Sequence, residues 1–100
     1  MPRLKVSNEW IEESDEPLED FASGWEPWYC ISLHGSGFND AKLYSAEEIV
    51  KGFRRLGYTP RRGMNERGIP CIQGEDVTFI PLDDKNRLDR EEELLQKRMR

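Results

Sequence analysis

Residues 45–81 restrict this 100-residue chain more than any other stretch. Ser45-Ala46-Glu47-Glu48 has the form of a capping box, in which the Ser hydroxyl accepts from the third helical N–H and the Glu reaches back to the cap. Ala46, Ile49, Val50, Phe53 and Leu56 follow at helical spacing, and Gly57 supplies the stop. The spacing predicts an amphipathic helix with Lys51, Arg54 and Arg55 opposite its apolar stripe. Gly52 sits inside that helix at a cost of about 1 kcal/mol against Ala, unless close packing uses the missing side chain. Three extended segments come next, 58–63, 69–73 and 77–81, separated by the turn clusters Met64-Asn65-Glu66-Arg67-Gly68 and Gly74-Glu75-Asp76. This is the pattern of an antiparallel meander. Pro60, Pro70 and Pro81 each lack a ladder donor, so they belong at strand ends or on edges.

Around this block the pattern is less regular. Trp28-Tyr29-Cys30-Ile31-Ser32-Leu33-His34 alternates with period two, placing Tyr29, Ile31 and Leu33 on an apolar face and Cys30, Ser32 and His34 on the other. His34-Gly35-Ser36-Gly37 reads as the turn that ends this strand. A last helix is expected over 86–99, with Leu88, Leu95 and Met99 on one side and Glu93–Lys97 as an i,i+4 pair. Residues 1–27 read as an irregular arm. Leu4 and Val6 alternate briefly there, and Trp10, Ile11, Leu18 and Phe21 are apolar islands in an acidic background. Those aromatics are what a purely solvating tail would lack. The expected class is therefore α+β: a small antiparallel sheet of three to four strands packed against two helices, in the order β-α-β-β-β-α. An acidic N-terminal arm (1–27) precedes a single domain (28–100).

Composition sets limits on function. Hydrophobic residues are 36% of the chain, enough for one modest core. No apolar run approaches the roughly 18 residues of a membrane span. The opening Met1-Pro2-Arg3-Leu4-Lys5 has no apolar stretch of the signal-peptide kind, so the expectation is a cytoplasmic, reducing setting. In that setting Cys30 and Cys71 are expected to be thiols that pack as small hydrophobes.

With one histidine in the chain, His34 decides most enzymatic options, and the carboxylates form no pair in a recognisable acid–base setting. Four residues apart on a strand, Cys30 and His34 have Cα atoms separated by about 13 Å, too far for a nucleophile–base dyad. The same distance, with no paired CxxC spacing, argues against zinc on Cys30, His34 and Cys71. The glycines at 35 and 37 are compatible with an anion cradle, but the Gly-Lys-Ser/Thr ending of a P-loop is absent. No enzyme, metal or cofactor is expected.

Charge is distributed more informatively. The net charge is −5, yet residues 1–50 hold 11 acids and 3 bases (−8) while residues 51–100 hold 9 acids and 12 bases (+3). The acids concentrate in Glu9, Glu12, Glu13, Asp15, Glu16, Glu19 and Asp20, and the bases in Lys51, Arg54, Arg55, Arg61, Arg62 and Arg67, opposed locally only by Glu66. Such asymmetry points to nucleic acid or to an acidic interaction segment. It is also what results when an acidic segment folds over its own basic face, or when both are simply solvated.

The order helix–strand–strand–strand–helix over 45–99 resembles the double-stranded-RNA-binding-like fold of HicA-type toxins. Gly57-Tyr58 is similar to that family's helix-ending Gly-aromatic pair, Arg61-Arg62-Gly63-Met64-Asn65 to its basic stretch, and Ile80-Pro81-Leu82 to its hydrophobic-Pro-hydrophobic element. The resemblance puts Asn65 where the family has its catalytic His, and Met64 where it has Ser. An amide cannot act as a general base near neutral pH, so the resemblance implies an RNA-binding shape without ribonuclease activity.

Two functional expectations result. The first is a non-catalytic regulatory protein, in one form an inhibitor of the phage or mobile-element type. It would engage a nucleic-acid-handling protein through Glu12, Glu13, Glu16, Glu19, Asp20 and Trp10, with Phe21, Trp25 and Trp28 contributing. The alternative is a HicA-like RNA-binding module using Lys51, Arg54, Arg55, Arg61 and Arg62, with Tyr58 as a base-stacking platform.

Overall fold

The computed structural model describes residues 11–32 and 37–98. It is α+β, with one antiparallel sheet of six strands and three helices. In chain order these are β1 (Ile11–Glu13), α1 (Leu18–Ser23), β2 (Trp28–Ser32), β3 (Leu43–Tyr44), α2 (Ala46–Leu56), β4 (Arg61–Asn65), β5 (Pro70–Gln73), β6 (Val77–Pro81) and α3 (Leu82–Arg98). The spatial strand order is β1-β4-β5-β6-β2-β3.

The expected count of three to four strands and two helices is therefore too low. The additions are β1, α1 and β3. Residues 11–13 and 18–23 form a strand and a helix where an irregular arm was expected, because the partners of Ile11 and Phe21 come from later parts of the chain. Ile11 sits opposite Asn65, and Phe21 stacks on Trp28 with ring centroids 6.1 Å apart. The short alternation at Leu4 and Val6 lies outside the described residues.

The capped helix is α2. Ser45 Oγ accepts from Glu48 N at 3.2 Å, Glu48 Oε1 accepts from Ser45 N at 3.1 Å, and the helix ends at Gly57. Its apolar stripe, Ala46, Ile49 and Phe53, is buried against the sheet. Gly52 explains itself here: a Cβ at this position would fall on the ring of Phe38. Phe38 comes from the β2–β3 connection and enters the core edge-on to Tyr44 and Phe79 and tilted against Phe53, at centroid distances of 5.0–5.5 Å. Ser32 holds this connection in place, donating from Oγ to Phe38 O at 3.2 Å and from its backbone N to Asp40 Oδ1 at 3.0 Å.

The sheet has helices on both sides. Trp28, Cys30, Ile72, Val77 and Phe79 face α1 and α2, while Ile69, Cys71 and Ile80 face α3 and its Leu88, with Tyr29 and Ile31 half-buried beside them. In β2 this reverses the expected weighting. The face of Trp28, Cys30 and Ser32 is the deeply buried one, because two helices cover it and only one covers the face of Tyr29 and Ile31. The prolines lie where a missing N–H is tolerated: Pro70 opens β5, Pro81 closes β6 and Pro60 precedes β4. Helix α3 starts directly after β6, four residues earlier than the expected 86. Asp83 and Asp84 supply negative charge in its first turn, and Asp84 pairs with Arg87 at 2.8 Å. Among the described residues its i,i+4 ion pair is Lys85–Asp89, not Glu93–Lys97.

Candidate interaction surface

The acidic segment is built into the edge of the sheet. β1 pairs with β4 in the register Ile11↔Asn65, Glu12↔Met64 and Glu13↔Gly63, and Ser14 N continues the ladder to Arg62 O at 3.0 Å. Ile11 turns inward to the α3-side core, leaving Glu12 and Glu13 exposed. Gly63 makes the close approach possible, since a Cβ there would fall on the Glu12 carbonyl. The chain then turns, with Glu16 N donating to Ser14 Oγ at 3.1 Å, and enters α1 at Pro17. Phe21 and Ala22 are buried, and Trp28 Nε1 donates to Ala22 O at 2.8 Å, pinning the helix to β2. Glu19 and Asp20 remain outside, in the first turn, where the helix dipole favours negative charge. Glu12, Glu13, Asp15, Glu16, Glu19 and Asp20 thus form an exposed ridge on a framework anchored at Ile11 and Phe21.

The ridge meets the chain's own basic residues. Glu13 pairs with Arg61 at 2.7 Å, Glu19 with Arg54 at 3.7 Å, and Arg62 Nε donates to Glu16 O. Lys51 is taken by Glu47 at 2.9 Å, and Arg55 makes no ion pair among the described residues. Exposed pairs of this kind are worth about 0–1 kcal/mol each, so strand pairing and core anchors place the ridge, and the ion pairs follow. The expected single basic face is also divided. Arg61 and Arg62 are consecutive in β4 and point to opposite sides of the sheet, Arg61 toward Glu13 and Arg62 toward α1. Among the described residues Glu12, Asp15 and Asp20 make no ion pair.

The aromatic residues sort differently from the expectation. Phe21 and Trp28 are core residues, so they present nothing to a partner; Trp10 lies outside the described residues. Trp25, just past α1, is 42% exposed. Tyr58 is half-buried against Phe53, and its hydroxyl is pushed above its ordinary pKa by burial and then by the carboxylates of Asp76 and Glu75. That acidic neighbourhood repels phosphate and disfavours Tyr58 as a stacking platform. Sequence reasoning did not register the groove of about 390 Å³ between α1 and α2, with Glu19 and Glu26 on one wall and Glu47, Lys51 and Arg54 on the other. Nothing in the local pattern signals it, because it exists only once α1 lies on α2.

The cysteines behave as packing residues. Both are free and fully buried, on opposite faces of the sheet. Burial pushes the Cys30 thiol up to about 11 and the Cys71 thiol up to about 12, so both stay protonated near neutral pH. No group of three or more metal-ligating side chains occurs among the described residues, and His34 lies outside them. Asn65 is committed to a turn: its Oδ1 accepts from Arg67 N at 2.9 Å and Ile69 N at 3.0 Å, organising the β4–β5 hairpin. Among the described residues no helix is long and apolar enough to cross a membrane. Comparison with protein-family models, curated proteins and solved structures finds no match.

Proposed function

We propose that this protein is a non-catalytic binding protein whose acidic ridge, from Glu12 to Asp20, seats on a basic surface of a protein partner. Dense basic surfaces are characteristic of proteins that neutralise nucleic-acid phosphates, so the partner class is a nucleic-acid-handling protein, and binding would inhibit it. The observation that carries this reading is the exposure of the ridge on a folded framework: a paired strand bears Glu12 and Glu13, an anchored helix bears Glu19 and Asp20, and the turn between them bears Asp15 and Glu16. Preorganisation lowers the ordering cost of association, and clustered charge raises the encounter rate. Direct RNA binding by Lys51, Arg54, Arg55, Arg61 and Arg62 is the weaker reading, because four of the five are engaged by the chain's own acidic residues or backbone and Arg61 and Arg62 diverge.

Two measurements test this. Fluorescence anisotropy with labelled RNA and DNA should show no binding by the full chain at moderate salt. Nuclease-treated lysate should yield nucleic-acid-binding proteins on the immobilised chain, lost when Glu12, Glu16 and Asp20 are reversed to Lys with the fold unchanged by circular dichroism. Salt-sensitive RNA binding abolished by Arg54→Glu with Arg62→Glu would overturn the proposal in favour of the RNA module.

A further inference from the structure

Glu26 stands between two hollows of the surface. The first is the groove of about 390 Å³ between α1 and α2, with the buried Ala46 and the half-buried Val50 at its base. The second, of about 320 Å³, lies between Pro27 and β3, where Leu43 and Tyr44 line it. Glu26 lines both, so the two meet as one cleft running from α1 to the edge of the sheet. β3 is the last strand there and has β2 on one side only.

The cleft has an excess of negative charge. Glu19, Glu26, Glu47 and Glu48 line it against Lys51 and Arg54. Both cations are taken: Lys51 pairs with Glu47 at 2.9 Å and Arg54 with Glu19 at 3.7 Å. Glu48 is held in the capping box, its Oε1 accepting from Ser45 N at 3.1 Å. Glu26 is exposed and makes no ion pair among the described residues. Apolar surface lies to either side of it. Trp25 precedes it in the chain and is 42% exposed, and Leu43 in the second hollow is 44% exposed.

An unpaired carboxylate between two apolar hollows is complementary to a cationic side chain that has apolar neighbours. Phosphate is repelled by the four carboxylates, and among the described residues no three metal-ligating side chains converge. An extended peptide fits the run of the cleft, because its alternate residues lie on one face about 6–7 Å apart. We propose that the cleft binds an extended segment of the partner protein in which a lysine or arginine meets Glu26. Apolar residues two positions to either side then occupy the hollows at Val50 and at Leu43. This occupant rests on the basic partner proposed above, and Glu19 belongs to both surfaces, so the acidic ridge runs into the cleft. The ridge supplies attraction and the cleft supplies selectivity for sequence.

An NMR titration of the isotope-labelled full chain with the peptide acetyl-Leu-Ser-Arg-Ser-Leu-amide tests this. Amide shifts should map to Glu26, Leu43 and Val50, with a dissociation constant of about 0.1–1 mM for so short a peptide. Citrulline in place of the arginine keeps the shape and removes the charge. It should weaken binding about fivefold, as should Glu26→Gln in the protein. Leu43→Ser, at an exposed position, should weaken binding to a similar degree. Glu12→Lys with Asp15→Lys should leave it within about twofold, since the ridge acts on this peptide only through screened, long-range charge. A ridge that captured no protein would leave the titration unchanged, so the two readings fail separately. Absence of shifts at Glu26, Leu43 and Val50 up to about 10 mM peptide would overturn the proposal. So would equal binding of the citrulline peptide, or a loss in the ridge variant as large as that in Glu26→Gln, which would show attraction to net charge alone.

Discussion

On the α1/α2 side of the sheet, Phe38, Tyr44, Phe53 and Phe79 pack ring against ring with centroids 5.0–5.9 Å apart, and Trp28, Ile49 and Ile72 complete a layer closed by two helices. On the α3 side the layer is thinner: Ile11, Ile69, Cys71, Ile80 and Leu88 are covered by one helix, which then continues past the sheet. One layer is closed by its helices; the other leaves leucines in solvent past its end. Substitutions on the two faces should therefore differ in cost.

The largest expected effect is at the centre of the aromatic layer. Phe79→Ala should cost about 3–5 kcal/mol in denaturant unfolding, the upper range for a buried aromatic. Leu88→Ala should fall nearer the low end of the about 2–5 kcal/mol range, because α3 can settle onto the thinner layer. Equal losses would break the contrast between the faces. Gly52→Ala sharpens it from the helix side. Propensity alone predicts a gain of about 1 kcal/mol, but the new methyl meets the Phe38 ring at an overpacking cost of about 1–3 kcal/mol, so a net loss of up to about 2 kcal/mol is expected. A gain would mean that the Phe38 plug is not firmly seated.

A smaller effect of opposite direction is expected at Ala41, which holds a left-handed backbone (φ 64°) while its N–H donates to Cys30 O at 2.9 Å. Ala41→Gly should raise stability by up to about 1 kcal/mol, as thermal unfolding would show. The last effect is silent at neutral pH and shows only in alkaline solution. Each thiol ordinarily titrates at 9.0 and is held at about 11 or 12 by burial in the folded chain. Above pH 9 the unfolded state therefore binds fewer protons than the folded one, and stability should decline as pH rises through 9 toward 11–12. Cys30→Ala with Cys71→Ala should remove that part of the slope. In the native protein both thiols should resist alkylation until the chain unfolds.

Where the determinants are local, they were legible. The capping box and Gly57 delimit α2, the turn clusters and prolines mark β5 and β6, and both cysteines read as core; β4 is shifted from the expected 58–63 to Arg61–Asn65, taking in Met64 and Asn65 from the expected turn. The pattern of α3 is visible only from about residue 86, since Leu82 to Lys85 carry little periodicity of their own. β1, α1 and β3 were not legible: three, six and two residues long, they are too short for a period to show. The acidic residues of the candidate surface could be read from composition, but which of them stay unpaired could not.

By itself, then, the sequence determined the elements whose hydrogen bonds and caps close within a few residues, together with the imbalance of charge between its halves. Tertiary structure decided what that imbalance does. β1 reaches its place by pairing with a strand from the other half of the chain, through a close approach that Gly63 permits. That single nonlocal pairing sets Glu13 beside Arg61 and leaves Glu12 outside. No local pattern encodes it, because register between distant strands is chosen by which buried face it satisfies.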